Sequence, residues 1–595
     1  MDRMFVMKSH LGLFSVLLSG FIYSAFVFRI SYGSPVTQED NYNVSLLNYN
    51  VTNTAGHVIK SIKHLTPFSS ITINVMEIPT DVRFIIVQTH AFQYDVTLSY
   101  NSSLEPHMYV NGTNIGLVQV IDTGQIDTKL YLYNLNENKT VTVLVTVQAY
   151  GDDAPIPGGC NMEFSIETAP YLILDFTEST VSVNSQPASA PVPRNKSPHC
   201  ETQVVEYEMY HMYLEERDFT SLTYFDALQK MMTVHDIQLY GRKVPESSEG
   251  PKMRRIYSAY PGTGSVYAII AKSGTTASAY VPALTYSCNI AYWSDTCEVL
   301  NTTFSKVLCA MIFFLGLFVC LSGHQYFKTE MFLLGFLSGS LVAYILIALC
   351  TTLSDSEIII FSVLLGMCCG SFWLSLWWYY GIPVCSVLLA TMTLGFIIAG
   401  IFSYLWLGDL ELLRHDLNYW LIYGCIILLV PILFSSIIHK ANMISCAVLG
   451  AYAVIIPMDH YIGSNLKYII VNVIRRATVK DFRLAIIDPP FQIRDIILCS
   501  IWLALALIGN GIQWRKQRGK PPFPPPPYLR YRQRSQQRSL LQRFVPTEHT
   551  PLLIEASAPT DIDQLNPHAV RNPEMMQPPS NSFKFLAFLQ IWKRR

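Results

Sequence analysis

VLCAMIFFLGLFVCLSG, Val307 to Gly323, opens a block that closes on IILCSIWLALALIGNGIQ, Ile496 to Gln513. Between them lie further apolar runs at Met331 to Thr351, Ile358 to Trp377, Pro383 to Leu405, Tyr419 to Ile438 and Met443 to Ile462. An α-helix needs about 20 consecutive apolar residues to cross the hydrocarbon core of a bilayer. Each run approaches that length. Every Lys, Arg, Asp and Glu of the block lies between the runs or at their ends, as Glu330 and Asp459 do. Residues 304–514 are therefore expected to form a multipass α-helical membrane domain of seven transmembrane helices.

The chain of 595 residues is half hydrophobic and only 14% charged, with a mean hydropathy of +0.28. It is too apolar for a soluble protein and too long for the bundle alone. The net charge of -1 conceals an asymmetry, because Trp514 to Phe544 carries nine Lys or Arg and no acid. Local charge is the informative quantity.

At the amino end, Arg3 and Lys8 precede an apolar run from Leu11 to Phe28, with small residues at Ser31 and Gly33. This reads as a signal peptide over 1–33, with an uncleaved signal anchor as the alternative. From Ser34 the texture changes to short Val, Ile, Tyr and Thr-rich runs at Val82–Thr89, Asp95–Tyr100, Leu117–Ile121, Thr140–Ala149, Met162–Ile166 and Val266–Ala271, bounded by turn residues. Two β-rich, sandwich-like units are expected, 34–170 and 171–303. Leu222 to Met232 stands out as a helix behind a Thr220 cap. Gln186 to Pro198 reads as an exposed loop.

N-glycosylation sequons fall at Asn43, Asn50, Asn101, Asn111, Asn138 and Asn301, with a poor one at Asn195 and none beyond Asn301. Their confinement upstream of the first apolar run marks a glycosylated ectodomain. The same region holds four cysteines, Cys160, Cys200, Cys288 and Cys297. An oxidising compartment lets them pair in one of three ways. The sequence does not choose; Cys288 with Cys297, closing a short loop at the membrane's edge, is the expected pair. No histidine pair accompanies them at zinc-ligand spacing.

An outer amino end and seven crossings place the carboxyl terminus in the cytoplasm. Lys328, Lys440 and the basic stretch after Trp514 then obey the positive-inside rule. One outer loop disobeys it: Gly463 to Asp495 carries Lys467, Arg475, Arg476, Lys480, Arg483 and Arg494. Its apolar spacing predicts a helix lying along the interface, with the charges snorkelling to water.

Within the bundle, Gly335 with Gly339 and Gly366 with Gly370 have the spacing that lets helices approach closely, for packing or for a dimer. Pro431 and Pro457 are positioned to kink their helices. No run carries an acid or histidine in its middle, as coupled transporters usually do; Asp459 and His460 read as headgroup contacts. The membrane cysteines read as small packing residues. Where G-protein-coupled receptors carry their third- and seventh-helix signatures, this chain reads Leu376-Trp377-Trp378-Tyr379 and Ile508-Gly509-Asn510-Gly511. H-E-x-x-H, G-x-S-x-G and phosphate-cradling Gly loops are absent. The expectation is a protein without catalytic residues, metal or cofactor.

Five strings carry a resemblance: DDAPIPGGCNMEF from Asp152, AYVPALTYSC ending at Cys288, SGHQYFKTEMFLLGF from Ser322, VIRRATVKDFRLA from Val473 and RGKPPFPPPPY from Arg518. Together they resemble the transmembrane 7 superfamily member 3 family, from about residue 40 to Leu553, and the bundle is similar to that of transmembrane protein 198. The resemblance implies a cell-surface or endomembrane protein linked to cell survival and to damping unfolded-protein stress; the plasma membrane or endolysosomal membranes are the expected location. No catalytic or ligand residue comes with it. Receptor and cargo-chaperone readings, with an unknown ectodomain ligand or cargo, stand beside it.

The tail, 515–595, offers partners. Pro521 to Tyr528 reads as polyproline II, and Pro525, Pro526, Pro527 and Tyr528 form a Pro-Pro-x-Tyr ligand for WW domains of ubiquitin ligases. Glu548, Leu552 and Leu553 match the acidic dileucine pattern read by clathrin adaptors. Phe583 to Trp592, followed by Lys593, Arg594 and Arg595, reads as a basic amphipathic helix on the lipid bilayer. Nothing points to nucleic acid.

Overall fold

The computed structural model describes residues 39–51, 58–191, 200, 205–245, 253–292, 296–297, 303–381, 383–407, 410–524 and 527–543. The first β unit runs β1 (Glu39–Ser45), β2 (Ile59–Leu65), β3 (Ser69–Met76), β4 (Val82–Ala91), β5 (Val96–Ser99), β6 (Tyr109–Gly112), β7 (Asn114–Val120), β8 (Asp127–Asn134) and β9 (Val141–Gly151). Two sheets, β1-β3-β8-β5-β6 and β2-β9-β4-β7, face each other. Ile73 of β3, Ile86 and Val87 of β4, Leu130 of β8 and Val143 and Val147 of β9 are wholly buried in one hydrophobic core. Two sheets packed over a shared core make a β-sandwich.

The second unit runs β10 (Ile173–Phe176), β11 (Thr180–Asn184), β12 (Glu206–Glu216), α1 (Ser221–Gln229), α2 (Val234–Tyr240), β13 (Arg242–Lys243), β14 (Arg254–Ser258), β15 (Thr263–Ser273), β16 (Thr276–Ala279) and β17 (Ala283–Thr285). One sheet is β13-β12-β15-β16 with β17 also on β15; the other is β10-β11-β14. The helix expected behind Thr220 is α1, and the Thr220 hydroxyl accepts the Thr223 N–H as its cap. Disulfides join Cys160 to Cys200 and Cys288 to Cys297.

Two local expectations fail for identifiable reasons. Met162 to Ile166 is not a strand: the Asn161 side chain accepts the amide hydrogens of Glu163 and Phe164 and donates to the Phe164 carbonyl, curling the chain. The Pro and Ser loop is not exposed where it is described. Gln186, Ala188, Ser189 and Ala190 are buried, and Ser189 bridges Ile156.

The apolar block forms α3 (Thr303–Ser322), α4 (Phe327–Cys350), α5 (Asp355–Tyr380), α6 (Pro383–Phe402), α7 (Asp416–Phe434), α8 (Ile438–Ile462), α9 (Tyr468–Thr478) and α10 (Ile493–Gln517). All but α9 coincide with the apolar runs. By length and composition they make five continuous stretches able to cross a membrane, two of them 46 and 47 residues long. A straight helix of that length would be about 70 Å, twice a bilayer core. Each is instead broken by a 3-10 turn, Gly323–Tyr326 in one and Ser435–Ile437 in the other.

Glycines set the helix spacings. The pairs predicted from spacing face each other across α4 and α5: a Cβ on Gly339 would lie 2.5 Å from the Cβ of Cys369, and one on Gly366 2.8 Å from the Phe336 carbonyl. They serve packing within the chain. Gly450 of α8 comes closer still to a neighbouring backbone, with a Cβ there 2.4 Å from the Cys320 nitrogen of α3. Backbone cannot yield as a side-chain tip can, and overpacking of this kind costs roughly 1–3 kcal/mol or more. Gly450→Val should therefore lower the apparent melting temperature of detergent-solubilised protein by several degrees, as read by tryptophan fluorescence. A parent-like melting curve would show that α3 and α8 do not pack as described.

Candidate functional site: the seam between ectodomain and bundle

The loop between α8 and α10 carries six cations where the expected topology disfavours them, and four of the six prove to be held by protein. Residues Ala485–Ile486 form β18, which adds in parallel to β14, pairing Ile256 with Ala485 and Tyr257 with Ile486. The ectodomain's edge strand is thereby closed by a strand from the membrane domain. Preceding it, the amphipathic α9 exists as predicted. Its Arg475 does not snorkel to water: Nη1 donates to the Ala259 carbonyl at 2.8 Å, Nη2 to the Glu178 carbonyl at 2.6 Å, and the guanidinium covers the Tyr468 ring at 5.1 Å.

Arg476, buried, faces the other way. It pairs with Asp416 at 2.8 Å and donates to the Leu413 and Arg414 carbonyls, tying α9 to the start of α7. Burial holds both guanidinium groups below their usual pKa. Arg494 donates to the Glu216 and Ile462 carbonyls, and Lys467 lies 3.9 Å from Glu216 and 3.5 Å from Asp459. Lys480 and Arg483 are exposed.

The ectodomain reciprocates from the end of β12. Gln492 donates to the Leu214 carbonyl at 2.7 Å and accepts from the Glu216 N–H at 3.2 Å. Arg217 donates to the His460 and Tyr461 carbonyls at 2.8 and 3.2 Å, at the last turn of α8, where a helix presents unpaired carbonyls. Tyr213 donates to the Asp488 carbonyl, and the Asp488 carboxylate takes both His211 and Arg242. Tyr260 meets Tyr468 edge to face at 4.8 Å, in a shared core with Tyr404, Tyr452, Leu466 and Leu498.

Asp459 is fully buried rather than a headgroup contact: it accepts from the Ser464 hydroxyl and the Leu466 N–H. Asp495 caps α10 through the Gln492 N–H and also accepts the Asn465 N–H at 2.8 Å. Glu216 is the least satisfied of these carboxylates. It is 4% exposed and its Oε2 has no hydrogen-bond partner, so burial pushes its pKa up to about 7. Among the described residues no group of His, Cys, Asp or Glu could hold a metal ion.

A second polar nucleus sits at the opposite end of the bundle. Asn442 of α8 donates to Glu330 of α4 at 3.0 Å and lies 3.1 Å from His324; all three are buried. His324 reaches the Pro522 carbonyl with its other ring nitrogen, at 3.1 Å. Phe523 of the tail packs against His324, Phe327 and His439.

Of the sequon residues, Asn43, Asn50, Asn101, Asn111 and Asn138 are all exposed on the first β unit, while Asn301 lies outside the described residues. So do the signal segment, Pro525 and Pro526, the dileucine Glu548, Leu552, Leu553 and the terminal basic segment. The polyproline reading stops short of Tyr528. Pro527, suited to a first helical turn, opens α11 (Pro527–Arg543), with Tyr528 exposed on it.

Comparison with known proteins accords with this architecture. Three family descriptions match in order: "TM7SF3-like, N-terminal immunoglobulin-like domain" over residues 56–150, "TM7SF3-like, second immunoglobulin-like domain" over 155–291 and "TM7S3/TM198-like domain" over 309–514. Transmembrane 7 superfamily member 3 of Homo sapiens is 31% identical over 489 residues, 80% of this chain and 85% of that one. The Mus musculus protein of the same name is 32% identical over 488 residues, 80% and 86% of the two chains. The chain belongs to the transmembrane 7 superfamily member 3 family. It is a multipass membrane protein with two immunoglobulin-like units ahead of its bundle. A likeness to the periplasmic lysozyme inhibitor PliG of Aeromonas hydrophila, at 8% identity and a TM-score of 0.14 over 19% of this chain and 99% of that one, is too slight to argue from.

Glu216 gives the seam a pH dependence whose sign follows from linkage. A carboxyl with a native pKa near 7 and an unfolded value near 4.5 binds more protons in the native state between those limits. Stability then falls as pH rises from about 4.5 to about 7 and levels off above it. Glu216→Gln should flatten that window and raise the melting temperature at pH 7.5, with the parent and variant converging near pH 4.5. Parallel pH profiles of parent and variant would contradict the placement of Glu216 in the seam.

Proposed function

We propose that this protein is a non-enzymatic, seven-pass glycoprotein, amino terminus outside and carboxyl terminus cytoplasmic, that supports cell survival by damping unfolded-protein stress. The observation that carries the mechanism is the seam. With Arg217, Arg475 and Gln492 bonded across it, the immunoglobulin-like units are held on the bundle instead of swinging from it. Whatever engages the ectodomain then acts on the helices directly. The survival role is the expectation that the sequence resemblance carries, and it is proposed on that ground alone.

The seven-pass topology is supported by the alternation of helix ends. Gly323, Glu330, Asn442 and Gln513 gather at one end with Lys328, Lys440 and Lys516, while Ser403, Tyr419, Asp459 and Asp495 gather at the end that meets the ectodomain. The positive-inside rule then assigns the lysine end to the cytoplasm. A cargo-chaperone reading is favoured by Glu548, Leu552 and Leu553 in a tail that a clathrin adaptor could reach. The Pro-Pro-x-Tyr motif would engage a WW domain by unwinding the first turn of α11. A G-protein-coupled reading has the seam in its favour and the missing helix signatures against it.

Removing the protein from cells and then inhibiting glycosylation should raise unfolded-protein-response transcription and shorten survival. The parent chain should restore both, and Arg475→Glu, expressed at equal level, should restore less than half the effect. Full rescue by Arg475→Glu would separate the survival role from the seam, and an unchanged stress response on removal would refute the role itself. The topology has its own check: glycosidase should reduce the apparent mass, and a tag after Arg595 should stain only after permeabilisation. Staining of intact cells would overturn the seven crossings.

A further inference from the structure

Among the described side chains of α11 no packing accounts for the helix. Every side chain from Arg530 to Ser539 is exposed, and no acid occurs between Trp514 and Phe544 to pair with its arginines. Arg530, Arg534 and Arg538 recur every four residues and so lie along one face about 6 Å apart. Like charges at that spacing destabilise a helix, and an isolated helix of this length is marginal in water even with a favourable sequence. The row is complementary to something anionic and extended.

The chain's own path says what is within reach. Phe523 is held among His324, Phe327 and His439. At the same end, Lys328 lies over Trp377 and Trp378, and Lys440 over Trp514. Lysines on tryptophans at the ends of apolar helices mark the headgroup level. Tyr528 follows Phe523 by five residues, which at full extension span no more than about 18 Å. Chain connectivity alone therefore keeps Tyr528 within that reach of Phe523, and Tyr528 and Tyr531, both exposed, are residues suited to a headgroup layer.

We propose that α11 is a docking surface for the anionic lipid headgroups of the leaflet at the carboxyl end of α10, with the Arg530, Arg534 and Arg538 row taking their phosphates. The proposal rests on the bundle crossing a bilayer and not on which side is cytoplasm. A row of arginines at a charged leaflet is worth about 1 kcal/mol per residue. The attraction falls off within a Debye length, so it weakens with salt.

The test uses the full chain in nanodiscs of phosphatidylcholine alone or of phosphatidylcholine with phosphatidylserine, followed by hydrogen exchange of residues 527–543. Both disc faces are open to solvent, so the outcome does not depend on the cellular topology. The expected result is exchange at least about tenfold slower in the anionic discs, restored to the neutral-disc rate by high salt or by Arg530→Gln, Arg534→Gln and Arg538→Gln together. Equal exchange in both lipids would overturn the proposal. Equal protection in neutral discs on adding inorganic polyphosphate at matched phosphate would overturn the membrane as the occupant.

Discussion

A guanidinium group taken out of water carries five N–H donors and no acceptor, and leaving such a charge unpaired inside a protein is strongly destabilising. The loop between α8 and α10 places Arg475 and Arg476 in that position. Arg475 finds its acceptors on the ectodomain, at Ala259 and Glu178; Arg476 finds them on the bundle, at Asp416 and the Leu413 and Arg414 carbonyls. Two adjacent arginines pointing opposite ways thus fasten α9 to both bodies at once. The β18 strand, the Gln492 exchange with β12 and the Tyr260 contact with Tyr468 all depend on α9 being held there.

The membrane helices were legible because hydrocarbon enforces a long apolar run wherever a helix crosses it, and each predicted run coincides with a helix. The β units were legible from short Val, Ile, Tyr and Thr-rich runs bounded by turn residues, and α1 from its threonine cap. What escaped was anything decided by tertiary partners. Asn161 looks like one more turn residue until its side chain is seen to curl the next three residues away from a strand. Cys160 and Cys200, 40 residues apart, could not be paired from spacing. The seam itself escaped, although one signal was present: six cations in a loop that the expected topology places where the charge rule disfavours them. The interfacial-helix reading explained the amphipathicity of α9 without asking what could neutralise its arginines. Arg217, Glu216 and Gln492, ordinary polar residues in sequence, gave no separate warning.

The two buried polar nuclei differ in what they join. At the ectodomain end, Glu216 comes from β12 and Asp459 and Asp495 from α8 and α10, so the cluster exists only when ectodomain and bundle are together. At the opposite end, Glu330, Asn442 and His324 come from the helical block alone, with the Pro522 carbonyl and the Phe523 ring laid over them. The first is a connection whose strength varies with protonation; the second fixes where the tail leaves the bundle. The described residues are thereby organised around two junctions.

The most direct measurement of the seam is a disulfide trap across it. Ser258 of β14 and Asn472 of α9 touch, with Oγ donating to Oδ1 at 3.3 Å. Both native disulfides lie upstream of residue 298, so a protease site inserted in 298–302 separates ectodomain from bundle covalently. In the variant Ser258→Cys with Asn472→Cys, the two fragments should stay joined after cleavage and part only on reduction. Fragments that separate without reductant, from protein that folds and reaches its membrane normally, would show that the ectodomain does not sit on α9.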